Sequence, residues 1–310
     1  MQVRYNVPVY DICWLNHASG GVIKTFYEPC SVVELKNICL ELYEKKEKFD
    51  LIGYTSNIYF LPQYSVDYMV STRKCNHYSE TAYEIVCECG VSVSKLSRQM
   101  VKEGIKGFEG LIDLPGTVGA AVYGNASCYN CSINKLLVSC DLLCPDGTIK
   151  TIYPDALRLS KRSSALKRGE LKGVILTIRL KKERGDVDEL QKQAKINHQI
   201  RKTTQPGPKD NLGSIYALSG GWSIYSFIPR LISKIYATFL YLVERDNTII
   251  KQKQRAFLLY LLGAKDVFPY IYGWNRFIWK DEQSHAKFWK YHNVHQKLFK
   301  ESIFEIEIRQ

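Results

Sequence analysis

Between Gly104 and Asn130 the chain reads GIKGFEGLIDLPGTVGAAVYGNASCYN, six glycines in 27 residues with few charges. Glycine admits positive φ and lets another surface approach the bare main chain. An apolar segment this rich in it is therefore built to wrap something, not to run as a plain helix or strand. A second small-residue turn, GYTSN at 53–57, stands between two apolar runs; alone, it is ordinary punctuation between strands. Cys128 and Cys131 form C-x-x-C, with Cys140 and Cys144 after them. A zinc ribbon wants a longer loop between two such knuckles, and a thioredoxin-type pair wants a strand before it and a helix after it. No metal site is expected, and the ten cysteines read as reduced thiols, mostly small buried hydrophobes.

The elements that must position these segments follow from periodicity. Val33, Leu35, Ile38, Leu42 and Tyr43 at helical spacing, with Ser31 and Glu34 as a capping box, predict a helix over 31–48. Short strands follow at 49–52 and 58–61, another at 83–88, and a helix over 93–102 capped at Ser92 or Ser94. Residues 136–144 and 148–153 flank Pro145-Asp146-Gly147 as a hairpin, and 173–181 is a Val/Ile/Leu-rich strand. The charged KKERGD after it marks a boundary, followed by a helix over 188–202 and the Pro/Gly loop TTQPGPKDNLGS. Residues 224–243 have nearly the length of a bilayer span, but Pro229, Arg230 and Lys234 interrupt them. Leu231, Ile235, Thr238, Phe239 and Leu242 share one helical stripe, which predicts a helix packed on the body of the protein, with another at about 251–262. The chain closes with a helix over 284–299 and a strand over 304–309 whose alternation puts Glu305, Glu307 and Arg309 on one face.

Composition bounds the rest. The chain has 310 residues, 45% hydrophobic and 24% charged, enough for a sizeable core and against extended disorder. The formal charge is +12 and uneven: residues 1–180 carry 21 basic and 18 acidic side chains, residues 181–310 carry 22 and 13. An anionic ligand is expected in the second half, with a solvated basic face as the plain alternative. No nucleic-acid motif accompanies the charge, so nucleic acid is not an expected partner. The opening residues lack a basic stretch followed by an apolar block, so no secretory leader or transmembrane segment is expected, and a cytoplasmic protein is. The basic and apolar faces at 224–262 leave a peripheral membrane contact as a minor alternative.

Three segments together resemble one family. GYTSN at 53–57, GIKGFEGLIDLPGTVGAAVYGNASCY at 104–129 and KRSSALK at 161–167 are similar to the flavin-binding elements of the UDP-N-acetylenolpyruvoylglucosamine reductases, or UDP-N-acetylmuramate dehydrogenases. QPGPKDNLGSIY at 205–216 and FEIEIR at 304–309 extend the likeness, which is dense over 50–182 and patchy beyond 217. The resemblance implies an α+β protein. A two-part PCMH-type FAD-binding domain would occupy about 14–182, and a smaller α+β substrate-binding domain about 183–310, with an enlarged helical block at about 223–262.

It also implies FAD as cofactor, NADPH as hydride donor and a UDP-sugar as substrate. The FAD-binding residues would be Gly53, Thr55, Ser56, Asn57, Pro115, Gly116, Thr117, Gly119, Ala120, Asn125, Ala126 and Ser127. Backbone N–H groups and hydroxyls of the 53–57 turn would meet the phosphates as an anion nest without a lysine. Gly116, Gly119 and Ala120 would keep side chains short where the main chain lies against the ring. In the family's reaction an Arg and a Glu polarise the substrate carboxylate and a Ser supplies a proton. The matching residues are Arg162, Glu307 and Ser214.

Read singly, these are a surface cation, an edge-strand carboxylate and the end of a loop; jointly they converge on catalysis. The sequence departs from the family's pattern at Thr55, Lys161, Ser127 and Cys128 and after Tyr216, where Ala217-Leu218 stands in place of Asn-Pro. The expected activity is reduction of UDP-N-acetylglucosamine enolpyruvate to UDP-N-acetylmuramate for peptidoglycan. The alternatives are another nucleotide sugar in surface polysaccharide synthesis, or a non-catalytic flavin or nucleotide-sugar binding protein.

Overall fold

The computed structural model describes residues 1–15, 20–218 and 220–310. Two sheets and the helices between them make the first part. In the four-stranded sheet, Gln2–Pro8 runs antiparallel to Val22–Glu28, and Val66–Ser71 lies between Val22–Glu28 and Phe49–Ile52, parallel to both. The helix Val32–Glu44 follows Val22–Glu28, its Ser31 hydroxyl accepting from the Glu34 N–H as the capping box requires. It buries Leu35, Ile38, Cys39 and Leu42.

The second sheet has five antiparallel strands in the order Ile149–Ile152, Leu137–Leu143, Val174–Lys181, Glu84–Glu88, Tyr78–Glu80. Helix Val93–Lys102 starts at Ser92, whose hydroxyl accepts from Lys95 N–H, and buries Leu96, Met100 and Val101. A largely aliphatic core joins these helices to the five-stranded sheet through Ile85, Phe108, Val122, Leu142 and Ile178. Cys128 and Cys131 are cross-strand partners in a two-residue hairpin. Both turn residues, Tyr129 and Asn130, have positive φ, the backbone a type I′ turn demands.

A second core, built of rings, lies under the C-terminal elements. Tyr216, Phe277, Trp279, Phe288 and Tyr291 are fully or almost fully buried there, together with Tyr59 from the strand Ile58–Phe60. Phe277 and Phe288 meet edge-on at 5.4 Å between centroids, and Tyr59 lies 5.3 Å from both Trp279 and Phe288, separations at which aromatic pairs attract beyond their buried area. The last residues close the molecule onto its first part. Ile303–Phe304 pairs with Tyr216–Leu218, and Glu307–Arg309 runs parallel to Ile58–Phe60. The strand expected over 304–309 is thus broken in two, each half in a different sheet.

The helical block also departs from expectation. A short 3-10 turn, Ile224–Ser226, leads into Phe227–Leu240, followed by Asn247–Leu261, whose N-cap Asp246 accepts from Thr248 and Ile249 N–H. The stripe expected to pack inward faces solvent: Leu231 is 48% exposed, Ile235 52%, Phe239 66% and Leu242 80%. The buried side is Ser233 and Ala237, small residues that let Asn247–Leu261 come close, with the rings of Tyr236 and Phe257 4.4 Å apart. Among the described residues no helix is long and apolar enough to cross a membrane.

Candidate active site

The turn after Phe49–Ile52 and the glycine-rich segment face each other. A Cβ on Gly53 would stand 2.8 Å from Thr117 Oγ1, and one on Gly116 would stand 3.6 Å from Ser56 Oγ. Gly116 has φ +128°, a conformation open to glycine alone. Thr117 caps the short helix Val118–Tyr123 by accepting from Ala120 N–H, and Gly119 leans on Cys89, where a Cβ would meet main-chain and side-chain atoms at 2.9 Å.

Thr55 occupies the left-handed region at φ +56°, a costly place for a β-branched residue. Its hydroxyl is buried and turned inward, accepting from Trp14 N–H at 2.7 Å and lying near the carbonyls of Ile12 and Tyr54. Its hydroxyl is therefore committed inward and is not free to meet a phosphate. Arg73, which no sequence motif marked, holds this turn. Its Nε donates to Gly53 O at 2.8 Å, and its guanidinium also reaches Ile12 O. Burial lowers its pKa from the usual arginine value. The only signal available in sequence was a lone Arg beside Lys74.

Between the two segments opens a cavity of about 600 Å³, within the range of small-molecule and cofactor sites. Of the residues expected from sequence, Gly53, Thr117, Gly119, Ala120 and Glu307 line it. The other expected residues do not line it. Asn57 ties the turn to the chain's end, its Nδ2 donating to Glu305 O at 3.1 Å and its carbonyl accepting from Glu307 N–H at 2.9 Å. Asn125 sits at φ +44°, and its Nδ2 donates to Ser160 O at 2.6 Å. Its Oδ1 is buried without a partner. Ala126 and Ser127 continue into the Cys128–Cys131 hairpin, and Pro115 stands before Gly116 with no polar contact of its own.

The residues fit a flavin dinucleotide. An orphaned buried carbonyl costs free energy unless a donor reaches it, and an isoalloxazine carries an imide N–H. The side-chain-free backbone at Gly116, where a Cβ would meet only Ser56 Oγ, leaves room for a flat ring, while the bare Gly119 accommodates Cys89.

Arg162, in a turn closed by Ser160 and Ser163, is the third site residue other than glycine at positive φ, +56°. Its Nε lies 3.0 Å from Glu305 Oε1, so its partner is Glu305 and not Glu307. Burial lifts the Glu305 carboxyl above the usual range, and Arg162, Lys167 and Lys161 pull it partly back. Glu307 pairs with Arg309 at 2.9 Å, and Arg309 also approaches Asp50 at 3.5 Å. Burial opposes the charge on Arg309, but Glu307 and Asp50 more than offset it.

Ser214 follows Gly213 at φ +77° and precedes Ile215, whose carbonyl accepts from Glu305 N–H at 2.7 Å. Lys167 Nζ donates to Glu305 O at 3.1 Å. Glu305 thus touches the turn of Arg162, the turn at Lys167, the flavin-side Asn57 and the Ser214 loop. The resemblance pointed to Glu307 alone; the first carboxylate of FEIEIR, alternating with it, was the available signal.

Comparison with known proteins agrees with this geometry. The FAD binding domain model matches residues 23–153. UDP-N-acetylenolpyruvoylglucosamine reductase from Nostoc sp. is 29% identical over 234 residues, covering 71% of this chain and 70% of the relative. The enzyme of that name from Carboxydothermus hydrogenoformans is 27% identical over 264 residues, covering 84% of each. The crystal structure of UDP-N-acetylenolpyruvylglucosamine reductase from Thermus caldophilus superposes over 100% of both chains with a TM-score of 0.69 at 18% identity, which speaks for the fold. Taken with the paired glycine turns and the cleft between them, these matches show that the chain carries an FAD binding domain and is similar, over two thirds or more of its length, to the UDP-N-acetylenolpyruvoylglucosamine reductases.

Proposed function

We propose that this protein reduces the enolpyruvyl group of UDP-N-acetylglucosamine enolpyruvate to give UDP-N-acetylmuramate, with FAD as cofactor and NADPH as hydride donor. The observation that carries the reading is the convergence of four distant segments, 53–57, 115–125, 162–167 and 305–307, on one cleft and its edge. In this reading residues of about 14–182 hold the flavin and residues of about 183–310 bind the sugar nucleotide, with the last strand returned to the flavin side.

Bound FAD supplies the two-electron relay between NADPH and the vinyl carbon. The chain does the rest. The main chain at Gly53, Thr117 and Gly119, with Asn125, would hold and orient the cofactor. Arg162, its charge fixed in place by Glu305, would bind the substrate carboxylate and stabilise the negative charge that builds beside it. The Ser214 hydroxyl would give its proton to the neighbouring carbon. Glu307, held by Arg309 on the cavity wall, would set the polarity of the pocket at that end.

Anaerobic half-reactions test this. NADPH should bleach the yellow FAD-loaded protein, and UDP-N-acetylglucosamine enolpyruvate should restore its colour. Bleaching without restoration by this compound would move the activity to another nucleotide sugar. Absence of bleaching would favour a binding protein. The helical pair Phe227–Leu240 and Asn247–Leu261, which lies where the sequence likeness to the family is patchy, is the observation that favours a changed substrate.

A further inference from the structure

Away from the flavin cleft, and sharing no lining residue with it, a cavity of about 390 Å³ opens between the two helices of the hairpin and the aromatic core. Arg230 and Lys234 from one helix, Lys251 and Arg255 from the other, and the rings of Trp222 and Trp274 enclose it. No acidic side chain lines it, and among the described residues none of the four cations is in an ion pair. The nearby acid Glu244 is engaged by Lys253 instead. Each guanidinium lies over an indole, Arg230 at 4.1 Å from the Trp222 ring centre and Arg255 at 5.6 Å from that of Trp274. Stacking of this kind fixes their planes while leaving N–H donors uncommitted; the Nε of Arg255 is buried with no acceptor at all.

Four converging cations without a counter-charge repel one another, and a buried guanidinium donor without an acceptor adds its own penalty. An anion removes both costs. We propose that this pocket binds a diphosphate-bearing ligand. A single phosphate would leave part of the charge on two helices unmatched, whereas a diphosphate brings more charge to meet the four cations. The pocket also bears on the Ser214 loop. Trp274 precedes Asn275, whose main-chain and side-chain oxygens accept from Ile215 and Tyr216 N–H at 2.9 and 2.7 Å. The inference stands apart from the reductase reading, because it concerns residues that the flavin motifs do not include.

Titration calorimetry of the FAD-loaded protein with inorganic pyrophosphate, and separately with uridine diphosphate, tests it. Both should bind, and binding should weaken as salt rises. The double variant Lys234→Ala, Lys251→Ala alters two exposed side chains and should retain its flavin while losing about tenfold or more in affinity. Tighter binding of uridine diphosphate than of pyrophosphate, lost in the double variant, would assign the site to a nucleotide; equal affinities, both lost in the double variant, would assign it to the phosphates alone, and either upholds the proposal. Affinity unchanged in the double variant, or no heat from either ligand at low salt, would overturn it. So would binding only to vesicles containing phosphatidylglycerol.

Discussion

The flavin side and the C-terminal side of this molecule are built on different principles. The first packs aliphatic side chains between two sheets and lets main chain touch main chain at glycines, so that its site is defined by backbone. The second stacks rings and buries histidines among them, with His295 3.8 Å from Tyr216 and 4.3 Å from Phe299. It also turns an apolar helical stripe to solvent. A backbone-defined site tolerates little change at a few positions. A ring-packed core spreads its energy over many contacts, but each large ring matters.

Substitutions at matched depths would sharpen or break this contrast. The largest effect is expected for Phe288→Ala, which empties a fully buried ring position and should cost about 3–5 kcal/mol in denaturant unfolding. Because Tyr59 of the flavin side packs on Phe288, flavin fluorescence and far-UV circular dichroism should report one shared transition. Two separated transitions would mean that the sides unfold independently.

Acid should act on the ring core first. Burial, with help from His292, depresses His295 from 6.5 to about 4. Between those values the unfolded chain takes up a proton that the folded chain refuses, so stability present above pH 6.5 is lost as pH falls toward 4. The loss should be about 3 kcal/mol. His295→Phe should flatten that part of the profile; an unchanged slope would exclude His295 as its source.

Gly119→Ala comes next. The new methyl would meet the Cys89 main chain at 2.9 Å, and the expected cost is about 1–3 kcal/mol with loss of flavin affinity. Smallest is Ile235→Lys with Phe239→Lys, where exposed side chains should change stability by no more than about 0.5 kcal/mol each. A large destabilisation there would mean that the stripe is buried in solution.

What could be read from sequence follows the same division. The glycine-rich segment was legible because positive φ and close approach are local demands that only certain residues meet: Gly116 and Gly119 announce them. The strands Gln2–Pro8, Val22–Glu28 and Val66–Ser71 escaped, since a half-buried strand of mixed polarity gives a weak period unless its partners are known. Periodicity found the apolar stripe of Phe227–Leu240 but could not say which way it faces; Ser233 and Ala237 decided that by permitting closer helix contact. Alternation through 304–309 assumed one strand. The change of sheet after Phe304 hands Arg162 to Glu305, and only the fold brings Arg73 to the Gly53 turn.

The central claim is that the cleft between Gly53 and Ala120 holds FAD. Ala120 is exposed and lines that cleft, so Ala120→Trp fills the space without entering the core. Flavin released on denaturation, measured per chain after reconstitution, should be stoichiometric in the parent protein. In the variant, FAD affinity should fall about tenfold or more while the unfolding midpoint of the flavin-free protein stays unchanged. Equal flavin content and affinity in both proteins would contradict the account.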